Sequence, residues 1–320
     1  MTPAPEASLL PRLRRGWAYL RGGSLGDWIA WRWRQRQRPR RRSRWAGLAA
    51  QGGCVEMRLQ LDVRLRLYGD DELSRLIYCE DFEWHERRFV STFLRPGDIF
   101  VDAGANLGLF TVVAARRVGP TGRVLAFEPS PRAFQRLQEN VVLNGFNNVV
   151  CHRVALSDRG GQATLTVSVD GHEAWSSLAR PAKGAAFAAE TVPTAAWDEF
   201  AREHGLLGRV ALMKIDVEGW ESRVLAGARE ALGRPDAPVL QVELTDAVSR
   251  AAGSSCARVY GMLEGLGYQL FTFDGLARRL VADPLREAYP YLNLIAAKRP
   301  ADVAARLARA QCPRGERRPW

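Results

Sequence analysis

The sequence predicts a Rossmann-like α/β fold, a mostly parallel sheet with helices packed on both faces. Three observations carry this. An apolar run, Ile99 to Val101, ends at Asp102 and enters a glycine turn, Gly104 and Gly108, before a helix expected from about Leu107. A second run, Val124 to Phe127, ends at Glu128, twenty residues beyond Gly108. Five more runs alternate with helix-like segments: Val149–Leu156, Val210–Ile215, Val239–Leu244, Gln269–Phe273 and Leu292–Ala297. That rhythm belongs to βαβ units.

The chain begins with a basic arm, residues 1–50. Leu10, Leu13, Trp17 and Leu20 have helical spacing that Gly22-Gly23 would end, and Trp28, Trp31, Trp33 and Trp45 follow among arginines. Residues 1–45 carry twelve arginines against Glu6 and Asp27, a net +10, and residues 299–320 carry +4. The body between them is −3 within a total of +11. Arginine with tryptophan suits peripheral contact of residues 10–45 with an anionic membrane surface, or a nucleic-acid backbone, or simply an extension packed on its own domain. A β/α lead-in, 51–96, comes next. From Val55 to Leu67 apolar and polar residues alternate strictly, as in a half-buried strand or hairpin, and Glu72 to Leu94 reads as one helix ending before Pro96. The main domain is expected over 97–298, and the basic tail, 299–320, contains a helix-like stretch from Ala301 to Ala310.

The glycine turn argues against a dinucleotide. Its pattern is D-x-G-x-N-x-G, so Asn106 stands where a pyrophosphate needs bare backbone, and Asp102 would repel phosphate. An ammonium and a sulfonium suit that carboxylate instead, and S-adenosylmethionine carries both. Glu128 is a two-oxygen acceptor able to take both ribose hydroxyls. Pro129-Ser130-Pro131 opens a helix through Asn140, and Asn144-Gly145 turns into the strand that ends at Ser157-Asp158. There a hydroxyl or carboxylate either accepts from the adenine amino group or closes a turn before Gly160-Gly161.

Between Gln162–Val169 and Glu190–Val192 lies a long loop with His172, Trp175, Ser176 and Ser177, placed as a substrate lid. His172 is a candidate general base, or an ordinary solvent-facing histidine. Lys214 and Asp216 share one face of the next strand, and a lysine inside an apolar strand needs Asp216 or Glu243 as partner. Asp216 and Glu218 precede a helix expected near Trp220. They either act in catalysis or cap that helix. With Glu243 they also form a three-carboxylate set able to take Mg²⁺.

With those stretches in view, the chain resembles the FkbM family of S-adenosylmethionine-dependent methyltransferases. The resemblance rests on VDAGANLGLFT, AFEPSPRAFQRLQENVVLNG, VALSDRGG, WSSL, VPTAAWDEF, LMKIDVEGWESRVLAGA and QVEL, in order, over about residues 55–298. It implies a seven-stranded class I methyltransferase sheet with an antiparallel last strand. It also implies O-methylation of a hydroxyl on a small molecule, a sugar or glycan, or a polyketide. By position it assigns Asp102, Gly104, Ala105, Asn106 and Gly108 to the cofactor loop, Glu128 to the ribose, and Ser157 and Asp158 to the adenine side. Glu83 matches a family glutamate at the cofactor end, and Asp216, Glu218 and His172 are the catalytic candidates.

Two other functions compete. Nucleic-acid methylation is motivated by the arm alone, and the acidic body and absence of an N-P-P-Y or D-P-P-Y signature count against it. The other is a membrane-docked cofactor-binding protein that retains the fold but has lost catalysis, against which the intact glycine turn and both strand-end carboxylates count. Five scattered cysteines, Cys54, Cys79, Cys151, Cys256 and Cys312, never form C-x-x-C. They point away from zinc or a disulfide framework and toward a reducing compartment. The expected location is therefore cytoplasmic, at the inner membrane surface if the arm docks there. No run reaches the ~20 apolar residues of a membrane span, and no apolar segment follows Arg14-Arg15 as in a signal peptide.

Overall fold

A computed structural model describes residues 25–80, 82–168 and 187–309. In chain order it contains α1 (Leu25–Ala50), β1 (Cys54–Arg58), β2 (Arg64–Tyr68), α2 (Glu72–Glu80), α3 (Trp84–Phe93), β3 (Ile99–Ala103), α4 (Leu109–Val118), β4 (Arg123–Phe127), α5 (Pro131–Leu143) and β5 (Val149–His152). Then come β6 (Ala155–Ser157), β7 (Gly161–Ser168), β8 (Phe187–Ala196), α6 (Trp197–Glu203), β9 (Val210–Ile215), α7 (Glu221–Ala226), α8 (Arg229–Gly233) and β10 (Val239–Leu244). The last are α9 (Asp246–Ala251), α10 (Cys256–Gly265), β11 (Gln269–Asp274), β12 (Arg279–Ala282), β13 (Leu292–Ala297) and α11 (Pro300–Ala308).

The main sheet runs β12-β11-β13-β10-β9-β3-β4-β5. Strands β10, β9, β3, β4 and β5 are parallel, and β13 inserts antiparallel between β10 and β11. Successive side chains point to opposite faces, so each strand feeds two cores. Val101, Ala103, Leu125, Phe127, Met213 and Ile215 meet α6, α7, α8 and α10 on one face. Phe100, Val124, Leu212 and Ile295 meet α3, α4 and α11 on the other.

Three expectations need correction. The sheet has eight strands rather than seven, because Arg279–Ala282 pairs antiparallel with β11 at the edge. Four residues of alternation were too short a signal to separate from a loop. The expected strand Val149–Leu156 breaks after His152: β5 stays in the main sheet while β6 pairs parallel with β8 in a three-stranded sheet with β7. The expected helix Glu72–Leu94 is two helices, with Glu83 between them in a left-handed conformation, φ 50°. Residues 25–50 form one helix, α1, across Pro39, and the helix end expected at Gly22-Gly23 lies outside the described residues. The helix expected over Leu10–Leu20 lies outside the described residues.

Both charged ends dock on the body where they are described. Trp45 is buried with its ring 5.4 Å from that of Tyr78, and Arg41 donates to the Tyr78 carbonyl at 3.1 Å. Val303 and Leu307 of α11 are buried beside α3, and the Arg306 guanidinium lies 4.6 Å from the centre of the Phe93 ring. Among the described residues no helix is long and apolar enough to cross a membrane.

Asn140 on α5 and Asn144 at its C-cap, one turn apart, act as a substitute strand for β2. The Arg64 N–H donates to Asn144 Oδ1 at 2.8 Å, and Asn144 Nδ2 returns a bond to the Arg64 carbonyl at 2.7 Å. Arg66 N–H donates to Asn140 Oδ1 at 2.6 Å, and Asn140 Nδ2 donates to the Leu107 carbonyl at 2.9 Å. Asn140 thereby ties the lead-in hairpin to the glycine turn. Because its loss leaves an amide and a carbonyl without partners, Asn140→Ala is expected to cost about 1–3 kcal/mol in urea unfolding. A change under a few tenths would remove the residue from this role.

Candidate active site

A cavity of about 480 Å³ opens at the carboxyl ends of β3, β4, β9 and β10, where open α/β sheets bind ligands. Its walls are built by the strand-end turns. Gly104, at φ 80°, packs so tightly on β9 that a Cβ there would fall 1.8 Å from the Asp216 carbonyl oxygen. The Gly104 and Ala105 N–H groups both donate to the Phe127 carbonyl at 3.0 Å, fixing the turn against β4. Asn106 takes a left-handed φ of 48°, and its side-chain oxygen accepts from the Leu107 N–H at 2.7 Å.

Glu128 faces the turn from the end of β4. Its Oε2 accepts from the Asn106 N–H at 2.8 Å and its Oε1 from the Ser130 N–H at 2.9 Å. Burial pushes its carboxyl up to about 7 although both backbone donors favour the charge. Two oriented oxygens retain further lone pairs toward the cavity. Phe127, Pro129, Val154, Ala155, Leu156 and Leu165 give this end an apolar wall.

The opposite end is acidic. Glu83, Asp216, Glu218 and Glu243 line it, with Lys214 as the lone cation among the lining residues. Lys214 is buried and its ammonium meets Asp216 Oδ2 at 2.7 Å, with the Phe110 ring centre 4.8 Å away. Burial opposes that ammonium, but Asp216, Asp102 and Glu83 hold its pKa above the ordinary lysine value. Burial likewise opposes charge on Asp216, but Lys214 and a hydrogen bond with Glu243 keep it below the usual carboxylate range. Burial and the nearby Asp216 charge push Glu218 and Glu243 well up. Glu83 rises to about 7, chiefly through burial and then through Asp216.

Asp216, Glu218 and Glu243, the three carboxylates of the Mg²⁺ expectation, each bring a carboxylate oxygen within 4.8 Å of the others. Lys214 already brings positive charge to this cluster, and with Asp216 charged beside it the Glu243 carboxyl is pushed toward its protonated form.

The sequence-predicted residues divide cleanly. Glu83, Gly104, Ala105, Asn106, Glu128, Asp216 and Glu218 meet on the cavity wall, and Asp102, Gly108, Ser157 and Asp158 do not. Asp102 points down among the helices. Its Oδ2 accepts from Thr111 Oγ1 at 2.6 Å, and it pairs with Lys214 across the strands. Gly108 is turned toward Leu137, whose Cδ1 would lie 2.8 Å from a Cβ. The Ser157 hydroxyl accepts from Trp220 Nε1 at 3.0 Å, and Asp158 is ion-paired with Arg223 at 2.9 Å in a separate groove. His172 and the lid loop around it lie outside the described residues.

The sequence reading missed three contributors. Glu221 accepts from the Gly219 N–H at 3.0 Å and the Val217 N–H at 3.3 Å, so it, not Asp216 or Glu218, shapes the turn before α7. Its only signal was an acidic residue at the helix start. Tyr291 and Asn293 both reach Glu83, from more than 200 residues away, and nothing local announced them.

Residues 102–270, just over half of the 320-residue chain, match the family model described as the methyltransferase FkbM domain. Curated relatives agree. "Methyltransferase 1" of Beauveria bassiana is 33% identical over 148 residues, covering 41% of this chain and 59% of its own. The 2-O-methyltransferase NoeI of Sinorhizobium fredii is 31% identical over 161 residues, 46% and 63% of the two chains. The 31-O-demethyl-FK506 methyltransferase FkbM of Streptomyces tacrolimicus is 31% identical over 164 residues, 43% and 62%. The match thus spans about three fifths of the length of these relatives. A parallel sheet with an inserted antiparallel strand, a glycine turn and a strand-end glutamate at its ligand edge therefore accompany a family match over the same residues, and the chain belongs to the FkbM methyltransferase family.

Proposed function

We propose that this protein is an S-adenosylmethionine-dependent O-methyltransferase acting on a hydroxyl of a small molecule, a sugar or glycan, or a polyketide. One observation supports this above the others: five carboxyl side chains line the cavity against a single lysine. With Asp216 balanced by Lys214 and Glu218 and Glu243 pushed up, Glu83 and Glu128 supply the wall's negative charge, which disfavours phosphates and favours a ligand bearing positive charge, so a sulfonium nucleoside suits it better than NAD or a nucleoside triphosphate. When bound, S-adenosylmethionine supplies an electrophilic methyl group whose departure leaves a neutral thioether.

The chain's own residues divide the remaining work. Glu128 is suited to the ribose hydroxyls, and the apolar wall from Val154 to Leu156 to a purine face. The rigid turn at Gly104 to Asn106 fixes where the nucleoside lies, and positioning is the largest contribution such a site makes to in-line transfer. The acidic end disfavours anions and accepts the proton that an aliphatic hydroxyl must lose.

Calorimetry with S-adenosylmethionine, NAD and ATP tests the cofactor. Binding of the first alone is expected, and uptake of either of the others in its place overturns the reading. Radiolabelled methyl transfer to glucuronic acid, glucose and 31-O-demethyl-FK506 tests the acceptor classes. Glu128→Gln sets an amide NH₂ against one of two backbone donors. Losing a charge-assisted hydrogen bond worth about 1.5–3 kcal/mol should weaken S-adenosylmethionine binding by roughly 10–100-fold. Unchanged affinity takes Glu128 out of the site.

A further inference from the structure

The acidic end holds four carboxyls, and their partners separate them. Asp216 is ion-paired with the Lys214 ammonium at 2.7 Å and stands beside the Glu243 carboxyl. Glu243 is further engaged by Thr245 Oγ1, which donates to its Oε1 at 2.6 Å. Glu218 stands on the turn next to Asp216, and Glu221 lies beyond it. Glu83 differs. Its Oε1 accepts from the Tyr291 hydroxyl and from Asn293 Nδ2, the latter at 3.0 Å, and no described residue bonds Oε2. It is a cavity-lining carboxylate with one oxygen clamped and the other open.

Its position across the sheet matters as much. Asn293, on β13, holds Glu83, and β13 lies four strands from β4, which ends in Glu128. At about 4.8 Å per strand, the two glutamates are anchored roughly 19 Å apart across the sheet. A nucleoside with its ribose at Glu128 extends toward Glu83, so what lies beyond its reactive carbon meets Glu83. The left-handed backbone at Glu83, φ 50°, is a strained conformation held at the break between α2 and α3, the kind retained at working residues.

We propose that Glu83 takes the proton from the acceptor hydroxyl, and that Tyr291 and Asn293 aim it, while Asp216 is an electrostatic neighbour and not the base. This rests on the methyltransferase reading above. The hydroxyl gives its proton to Glu83 Oε2 while its oxygen forms the bond to the methyl carbon. The carbon–sulfur electron pair stays on sulfur, and the proton leaves Glu83 for solvent once the ether has departed. The groups facing Glu83 set its titration. Asp216 from the end of β9 and Glu86 on α3 raise it, with Glu218 adding to this acidic surround, and Lys214 and the Tyr291 hydrogen bond lower it. Glu243 faces it through Tyr291.

The test has two readouts. Infrared difference spectra of the cofactor-free protein should show protonated carboxyl absorbance titrating near pH 7, and Glu83→Gln should remove one component of it, leaving the component that Glu128→Gln removes. In Tyr291→Phe the Glu83 component should move to higher pH, because the lost donor stabilised the carboxylate. Methyl transfer to the fastest acceptor of the screen above, or to methanol if none reacts, should then separate two roles. As the base, Glu83→Gln lowers kcat more than 100-fold with the KM for S-adenosylmethionine within about threefold. A methionine-holding role would raise KM instead and overturn the proposal. So would absorbance near pH 7 that is undiminished in Glu83→Gln, a kcat within tenfold of the parent, or a rising pH limb unmoved in Tyr291→Phe. Should the parent protein fail to bind S-adenosylmethionine, or transfer no methyl to any of the four acceptors, the methyltransferase reading falls and takes this one with it. Should Glu83→Gln not fold, the Tyr291→Phe titration and pH limb decide.

Discussion

Gly104→Ala is expected to abolish measurable S-adenosylmethionine binding. At φ 80° any side chain is strained, by about 1–2 kcal/mol, but the collision is the larger effect. The new methyl would sit 1.8 Å from the Asp216 carbonyl oxygen and 2.9 Å from its carbonyl carbon. Neither is a flexible side-chain end, so the close of β9 must move away from β3. That movement takes Asp216 off Lys214 and opens the turn that Phe127 and Glu128 hold in place. Gly145→Ala is the matched control. It carries a similar φ of 64° with nothing within 4 Å, and should lose about 1–2 kcal/mol of stability while keeping its affinity. Calorimetry on both variants decides the matter: parent-like binding by Gly104→Ala would mean that the turn is not part of the ligand site.

Lys214→Met should have the largest effect on stability. The lysine is 3% exposed, contacts Asp216, and stands opposite Asp102 on β3 and Gln241 on β10. Its ammonium lowers the pKa of Asp102, Asp216 and Glu83 together. Removing one partner of a buried pair leaves the other uncompensated, at a cost of about 3–5 kcal/mol. The deficit also acquires a pH dependence whose sign is fixed. Burial already holds Asp102 above its unfolded value, and without Lys214 it rises further while Asp216 loses the charge that kept it low and rises with it. A carboxyl shifted that way favours folding below the unfolded pKa and loses that contribution as pH climbs through the folded one. The variant should therefore be closest to the parent near pH 5 and furthest from it near pH 8. Urea unfolding at the two values checks this, and a deficit independent of pH would mean that the lysine acts through packing alone.

How much of this was legible in the sequence depends on how local each feature is. The turn from β3 to α4 was readable because Gly104 and Gly108 answer to their own φ angles and close neighbours. Glu128 was readable because it ends the apolar run that begins at Val124. Lys214 with Asp216 followed from the two-residue period of a strand. The same period did not say which face of β3 would carry Asp102, since alternation fixes relative and not absolute direction. The core sets it: Asp102 shares a face with Phe100 and turns in toward Thr111. Ser157 and Asp158 left the expected site for a similar reason, because β6 departs the main sheet and hands both polar groups to Trp220 and Arg223.

The sequence by itself determined the kind of sheet, the glycine turn and the carboxylates at the strand ends, all consequences of apolar periodicity and spacing along the chain. Only the tertiary structure decided which carboxylates share a cavity, which of them a lysine neutralises, and that Tyr291 and Asn293 reach back to Glu83. A carboxyl's charge depends on burial and on neighbours from other strands, and those neighbours exist only once the sheet has assembled.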